Sequence, residues 1–115
     1  MKIIALTENC SGSGFFAEHG LSYLIEKQGK KYLFDAGSTN VFIQNATILG
    51  LNIQKEVDTI ILSHGHWDHG NGLQYLEHKT LITHPESFMK RFRKKDNSSI
   101  GLKLTKAEIE QKFTL

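Results

Sequence analysis

The chain has 115 residues, a length that by itself indicates one domain. Hydrophobic residues make up 39% and charged residues 23%, a composition that excludes disordered and fibrous classes. The net charge of +2 is too mild for a nucleic-acid coat, and no apolar run approaches the ~20 residues that span a bilayer.

The first segment, KIIALTE (Lys2–Glu8), is β-branched and short and predicts a strand; it turns polar at Thr7, unlike a signal peptide. Cys10 is the only cysteine, so an intramolecular disulfide is impossible, and a reducing cytoplasm with a small buried or half-buried thiol is the expectation. SGSGFF (Ser11–Phe16) has the glycines of a phosphate-cradling loop but lacks the strand, helix and lysine around it, and reads as a flexible loop. Leu21–Lys27 and Lys30–Ala36 predict two strands joined by a tight Gln28-Gly29 turn. From Thr39 or Asn40, the spacing Phe42, Ile43, Ala46, Leu49 predicts a helix that Gly50 ends. VDTIILS (Val57–Ser63) is nearly all apolar, as in a strand covered on both faces.

Beyond it, Asn71–Lys79 predicts a short helix and Thr80–His84 a strand. Pro85 opens an expected helix to about Lys94, in the first-turn position that proline favours. Thr105 and Glu108 have capping-box spacing and predict a last helix. This order describes an α/β layer structure over residues 1–115, a mixed sheet with helices on one face.

The densest chemistry is LSHGHWDHGNGL, residues 62 to 73. His64 and His66 are two residues apart just past a strand, so in extended backbone both imidazoles point the same way, and Gly65 leaves the approach clear. Asp68 and His69 follow after a turn and can face a second ion. Neutral imidazole and carboxylate are the usual non-sulfur ligands of Zn²⁺, and they also suit Fe and Mn. Two ions about 3.5–4 Å apart form the site type that clamps attacking and leaving oxygens in hydrolysis.

The sequence His64-x-His66-x-Asp68-His69 resembles the HxHxDH signature of the metallo-β-lactamase fold, and LFDAG (Leu33–Gly37) resembles its first motif, whose aspartate, here Asp35, supports the metal-binding loop from behind. The runs LTEN, AEHGLSYLIE, LFDAG, LSHGHWDHGNGL and HPESFMKR resemble a narrower group, the metal-dependent hydrolases similar to a dihydropterin-ribofuranosylaminobenzene phosphate synthase. The resemblance implies an αββα sandwich of two similar halves, of which residues 1–115 match the N-terminal one. It also implies a pair of Zn ions, or Fe or Mn. The first ion would take His64 and His66, the second Asp68 and His69, and the remaining ligands would come from the other half. Asp68 would act catalytically, orienting a metal-activated hydroxide and receiving its proton. The substrate implied is a small ester or phosphoester metabolite.

Around this loop, His19 stands either near the substrate or as a turn cap, and His84 either lines a pocket or is structural. Trp67 is either a wall on the substrate side or a plug beneath the loop. The run Lys90, Arg91, Arg93, Lys94, Lys95 holds five of the 14 basic residues. It reads first as a solvated helix face over inward Phe88 and Phe92, and otherwise as a contact for substrate phosphate or RNA backbone. A sheet face lacking its other half is an apolar patch, with Leu24, Leu33, Ile60 and Leu62 as candidates for it, and a homodimer or a complementing second-half chain is the expected cover. Other functions compatible with the pattern are a phosphodiesterase or nuclease of the same fold, or an inactive metal-binding or interaction module.

Overall fold

The computed structural model describes residues 1–115. Six strands lie side by side in chain order: β1 (Lys2–Thr7), β2 (Ser22–Lys27), β3 (Lys30–Phe34), β4 (Thr59–Ile61), β5 (Lys79–Ile82) and β6 (Phe113–Thr114). β1, β2 and β3 are antiparallel; β3 through β6 are parallel. The switch follows from the connections. Gln28 and Gly29, at φ +52° and +77°, make the two-residue turn that only an antiparallel neighbour can use. From β3 onward each crossover carries helix: α1 (Val41–Ile48) and α2 (Ile53–Glu56), then α3 (Trp67–Gly70) running into a 3₁₀ turn at Asn71–Tyr75, and finally α4 (Lys106–Lys112).

The helices cover one face. Ile4, Leu24, Leu33, Ile60 and Leu81 are direct cross-strand partners in a row across five strands. The last four of them are at most 2% exposed, under Phe42, Ala46, Ile53, Leu73, Leu76 and Ile109. The shortest dimension of the molecule, 21 Å, leaves room for one sheet and one helical layer. No helix is long and apolar enough to cross a membrane.

Several expectations are corrected. Leu24, Leu33, Ile60 and Leu62 do not form the bare face: all four are buried beneath the helices. Alternation puts their neighbours outside, in two cross-strand rows: Ile3, Ile25, Tyr32, Thr59, Thr80, and Ala5, Tyr23, Phe34, Ile61, Ile82. Ile3 and Ile82 on that face are 59% and 54% exposed. The helix expected from Pro85 to Lys94 is only a 3₁₀ turn, Pro85–Phe88. Residues 91–100 form a hairpin instead, with Arg91 O accepting from Ile100 N (2.9 Å) and Arg93 N donating to Ser98 O (2.8 Å). A helix there would stack Lys90 on Lys94 and Arg91 on Lys95, like charges four apart. Phe92 consequently leaves the core and is 53% exposed, while Phe88 stays packed against it. The helix expected at Asn71–Lys79 forms four residues earlier, as α3 and its 3₁₀ extension to Tyr75. The Thr105/Glu108 capping box is present in both directions, with Glu108 N donating to Thr105 Oγ1 (3.2 Å) and Thr105 N to Glu108 Oε1 (3.1 Å).

Candidate metal centre

The histidine loop leaves the C-terminal end of β4 and lies beside the end of β3, where Asp35 sits with φ +58° and no exposure. That left-handed backbone, which aspartate tolerates better than most residues, turns the carboxylate into the protein. There Asp35 Oδ1 accepts from the Ser63 amide (2.7 Å) and Oδ2 from the Ser63 hydroxyl (2.6 Å). Oδ2 also lies 2.7 Å from His69 Nδ1. Because a buried carboxylate only accepts, the proton on His69 belongs on Nδ1, and Nε2 keeps its lone pair. The same reasoning extends one step further. Ser63 spends its only hydroxyl proton on Asp35, so His64 Nδ1, 2.8 Å from Ser63 Oγ, must be the donor there. Asp35 therefore sets the tautomer of both His64 and His69 and presents Nε2 of each for ligation.

Main-chain bonds hold the loop in place: Leu21 N donates to Asp68 O (3.1 Å), Ala36 N to His69 O (2.7 Å) and Trp67 N to Ile100 O (3.1 Å). The three imidazoles crowd together, His64 at 4.6 Å from His66 and 4.3 Å from His69 between ring centroids. Burial first, and then the neighbouring His69 and His66, push the His64 pKa down, favouring the neutral form that binds metal. Asp68 Oδ2 lies 3.7 Å from His69 Nε2 and 3.2 Å from His19 Nε2.

The donor chemistry fits zinc, and the supports behind it are those a metal histidine needs. The donors are arranged in pairs, however, and no group of three or more His, Cys, Asp or Glu side chains converges as an ion would require. A catalytic zinc normally has three protein ligands, so these residues fit as part of a site.

The other expected site residues separate. His19 is brought to the cluster, its ring 5.4 Å from that of Trp67, and with Asp68 and His69 it lines a cleft of about 410 Å³ that also includes Glu8 and Cys10. Trp67 is half-buried and does not line that cleft. His84 is exposed, and its Nδ1 accepts the Glu86 amide (3.1 Å), capping the Pro85–Phe88 turn. Cys10 is exposed rather than buried or half-buried. Two positions that shape the histidine loop's surroundings went unread in the sequence. Ser63 is visible only as the residue before His64. Glu18 gives no signal, yet its carboxylate accepts the Ser38 and Thr39 amides (2.9 and 3.2 Å) and holds the segment that presents His19.

Gly65 has a different reason from the one its place between two ligands suggested. A Cβ there would lie 1.7 Å from Ser87 O and 2.8 Å from Arg91 Nη1. The glycine is needed because the Ser87 carbonyl, in the Pro85–Phe88 turn, is seated directly on the loop with the Arg91 guanidinium beside it.

The family model described as "Metallo-beta-lactamase superfamily" matches residues 16–86, which span Asp35 and the whole histidine loop. The chain belongs to that superfamily. An uncharacterized protein of Methanocaldococcus jannaschii is 37% identical over 102 residues, covering 84% of this chain and 39% of that one. The 7,8-dihydropterin-6-methyl-4-(beta-D-ribofuranosyl)-aminobenzene-5'-phosphate synthase of the same organism is 36% identical over 104 residues, covering 80% and 35%. The crystal structure of Tm1679, a metal-dependent hydrolase of the beta-lactamase superfamily, superposes with a TM-score of 0.79 at 31% identity, over 98% of this chain and 41% of that one. The chain thus spans about two fifths of the length of these superfamily relatives, and its α/β architecture is theirs over that part.

Proposed function

We propose that this chain supplies the first metal-ligand loop of a metal-dependent hydrolase acting on a small ester or phosphoester, in a reducing cytoplasm where Cys10 stays a thiol. The observation that carries this reading is the Asp35 hydrogen-bond system, which spends a fully buried carboxylate on aiming His64 and His69. Superfamily membership supports it at the level of reaction class, and the phosphate in a relative's name supports the phosphoester. His64 and His66 would hold one zinc, and Asp68 and His69 a second; Fe or Mn would suit the same donors. When bound, such ions polarise a carbonyl or phosphoryl oxygen and make water acidic enough to attack at neutral pH. Asp68 Oδ2 would orient that water and take its proton, while His19, 3.2 Å away, steadies the carboxylate at the cleft.

The missing ligands would come from a second polypeptide segment seated on the open sheet face, a second copy of the chain or a complementing one. A second reading rests on the pairwise arrangement of the donors. Without such a partner the chain is an inactive metal-binding or interaction module.

Native mass spectrometry of the untagged chain tests both, since it reports assembly and bound metal together. Wild type should carry zinc, His66→Ala none, and Asp35→Asn should bind it about 10–100-fold more weakly. Unchanged metal content in His66→Ala sinks the metal reading. Metal in a strictly monomeric chain without phosphoesterase activity favours the inactive module.

A further inference from the structure

The cleft at His19, Asp68 and His69 has a neighbour. A second cavity, of about 310 Å³, lies between β1, α1 and the segment 9–20 that joins β1 to β2, and Glu8 and Cys10 stand on the lining of both. Their characters differ. Two of the eight residues lining the cleft are hydrophobic, against seven of eleven in the second cavity, where Ile4, Leu6, Phe15, Phe16 and Leu49 form walls. Glu8 is the only carboxylate on that lining, and no lysine or arginine joins it. Such a lining penalises charged groups and accepts apolar ones.

The cavity has a built wall. Asn45 is the one buried polar side chain of α1. Its Oδ1 accepts from Phe16 N (2.9 Å), and its Nδ2 donates to Phe16 O (3.0 Å) and to Leu6 O (2.7 Å). Leu6 can offer that carbonyl because β1 bulges there: Ala5 pairs with Tyr23 and Thr7 with Ser22, which leaves Leu6 without a partner. Further bonds shape the segment on either side. Phe15 N donates to Gly12 O (3.2 Å), Ser11 Oγ to Phe15 O (3.1 Å) and Glu18 N to Glu8 O (3.1 Å). A buried amide adds nothing apolar to the core; holding Phe16 in place is what it does. Around the cavity so fixed, Phe16 and Leu49 remain 53% and 44% exposed.

We propose that this cavity is the subsite for the apolar body of the substrate, one aromatic ring or a short acyl chain, whose ester or phosphoester bond reaches Asp68 and His69 past Glu8 and Cys10. A cavity of about 150 Å³ lined by aliphatic and aromatic side chains takes a benzene ring, so 310 Å³ holds one ring with its linker. Glu8 Oε1 accepts from the Tyr23 hydroxyl (2.7 Å), which fixes the carboxylate on the wall that both cavities share. A neutral linker passes it, and an anionic one is repelled. The assignment rests on the hydrolase reading only for what happens at the ester end; the apolar subsite stands without it.

The test is therefore run without metal. Chelator-treated protein is titrated with benzyl alcohol and, separately, with 3-phenylpropyl acetate, and the backbone amide shifts are followed. Benzyl alcohol should bind saturably and shift the amides of Leu6, Phe16 and Asn45. The acetate should shift these and also His19, Gly20 and Leu21 at the cleft, with one dissociation constant. Phe16→Ser/Leu49→Ser should weaken both probes by about fivefold or more. The control Ile48→Ser/Tyr75→Ser removes two side chains of similar exposure, 47% and 46%, that line neither cavity, and should bind like wild type.

Shifts that never saturate, or equal losses in the two double variants, would mean that exposed apolar surface in general attracts the probes, and would overturn the subsite. So would unchanged affinity in Phe16→Ser/Leu49→Ser. An acetate that moves the cavity amides and none at the cleft would overturn the link between the two. Should the double variant fail to fold, Phe16→Ser compared with Ile48→Ser carries the same test. No readout here involves metal, so unchanged metal content in His66→Ala would defeat the hydrolase reading and leave the apolar subsite standing, and the reverse.

Discussion

The two faces of this sheet have similar apolar content and opposite fates. Under the helices, Leu24, Leu33, Ile60 and Leu81 form a continuous row at no more than 2% exposure. On the other side, Ile25, Tyr32, Phe34 and Ile61 are half-buried by one another alone, and Ile3 and Ile82 at the edges stand in solvent. A strand that is apolar on both faces is written for burial on both. The chain's own helices cover one side and leave the other, apolar as it is, uncovered.

Breaking the covered face should have the largest effect. Leu33→Ala empties a fully enclosed position between Leu24 and Ile60 and should cost about 2–5 kcal/mol in urea unfolding. The open face should answer differently. Ile82→Lys should shift stability by no more than about 0.5 kcal/mol, yet reduce self-association in sedimentation velocity. A loss comparable to that of Leu33→Ala would show that the face is not open after all.

The smallest effect sharpens the comparison at the rim of the covered face, where Lys31 Nζ meets Glu56 Oε1 at 2.6 Å and Asn52 N reaches Glu56 Oε2 at 2.5 Å. The lysine first, then the Asn52 amide, hold the Glu56 carboxyl below its ordinary 4.5. A depressed carboxyl stabilises the fold above the ordinary value, and that contribution is lost as pH falls through the folded one. The difference in urea midpoint between wild type and Glu56→Gln should therefore be present at neutral pH and close below 4.5. A constant difference at all pH values would mean that the pair contributes no pH-linked stability.

Where the sequence carried strong local signals, it could be read. The Gln28-Gly29 turn, the helix over 41–48 and the Thr105 cap are all set by neighbours within a few residues. The clustering of His64, His66, Asp68 and His69 was visible too, because the four side chains sit within six positions. The elements that escaped are those whose cause is distant or whose length is too small for periodicity. α2 has four residues and β6 two, and the 91–100 hairpin depends on Arg91 finding carbonyls and on Gly65 letting it close. Period-two alternation was hidden as well: with both faces apolar, nothing in the strands said which residues face the helices. Only the register against β1 and β5 decides it.

The closeness of Ser87 to Gly65 has a consequence for how this protein can change. Any side chain at residue 65 would push the Ser87 carbonyl, and with it the Pro85–Phe88 turn, off the loop that carries His64, His66, Asp68 and His69. The smallest residue in the motif is therefore the one at which the loop and the turn beyond β5 are locked together, and a change there would disturb the loop without altering any of its four candidate ligands.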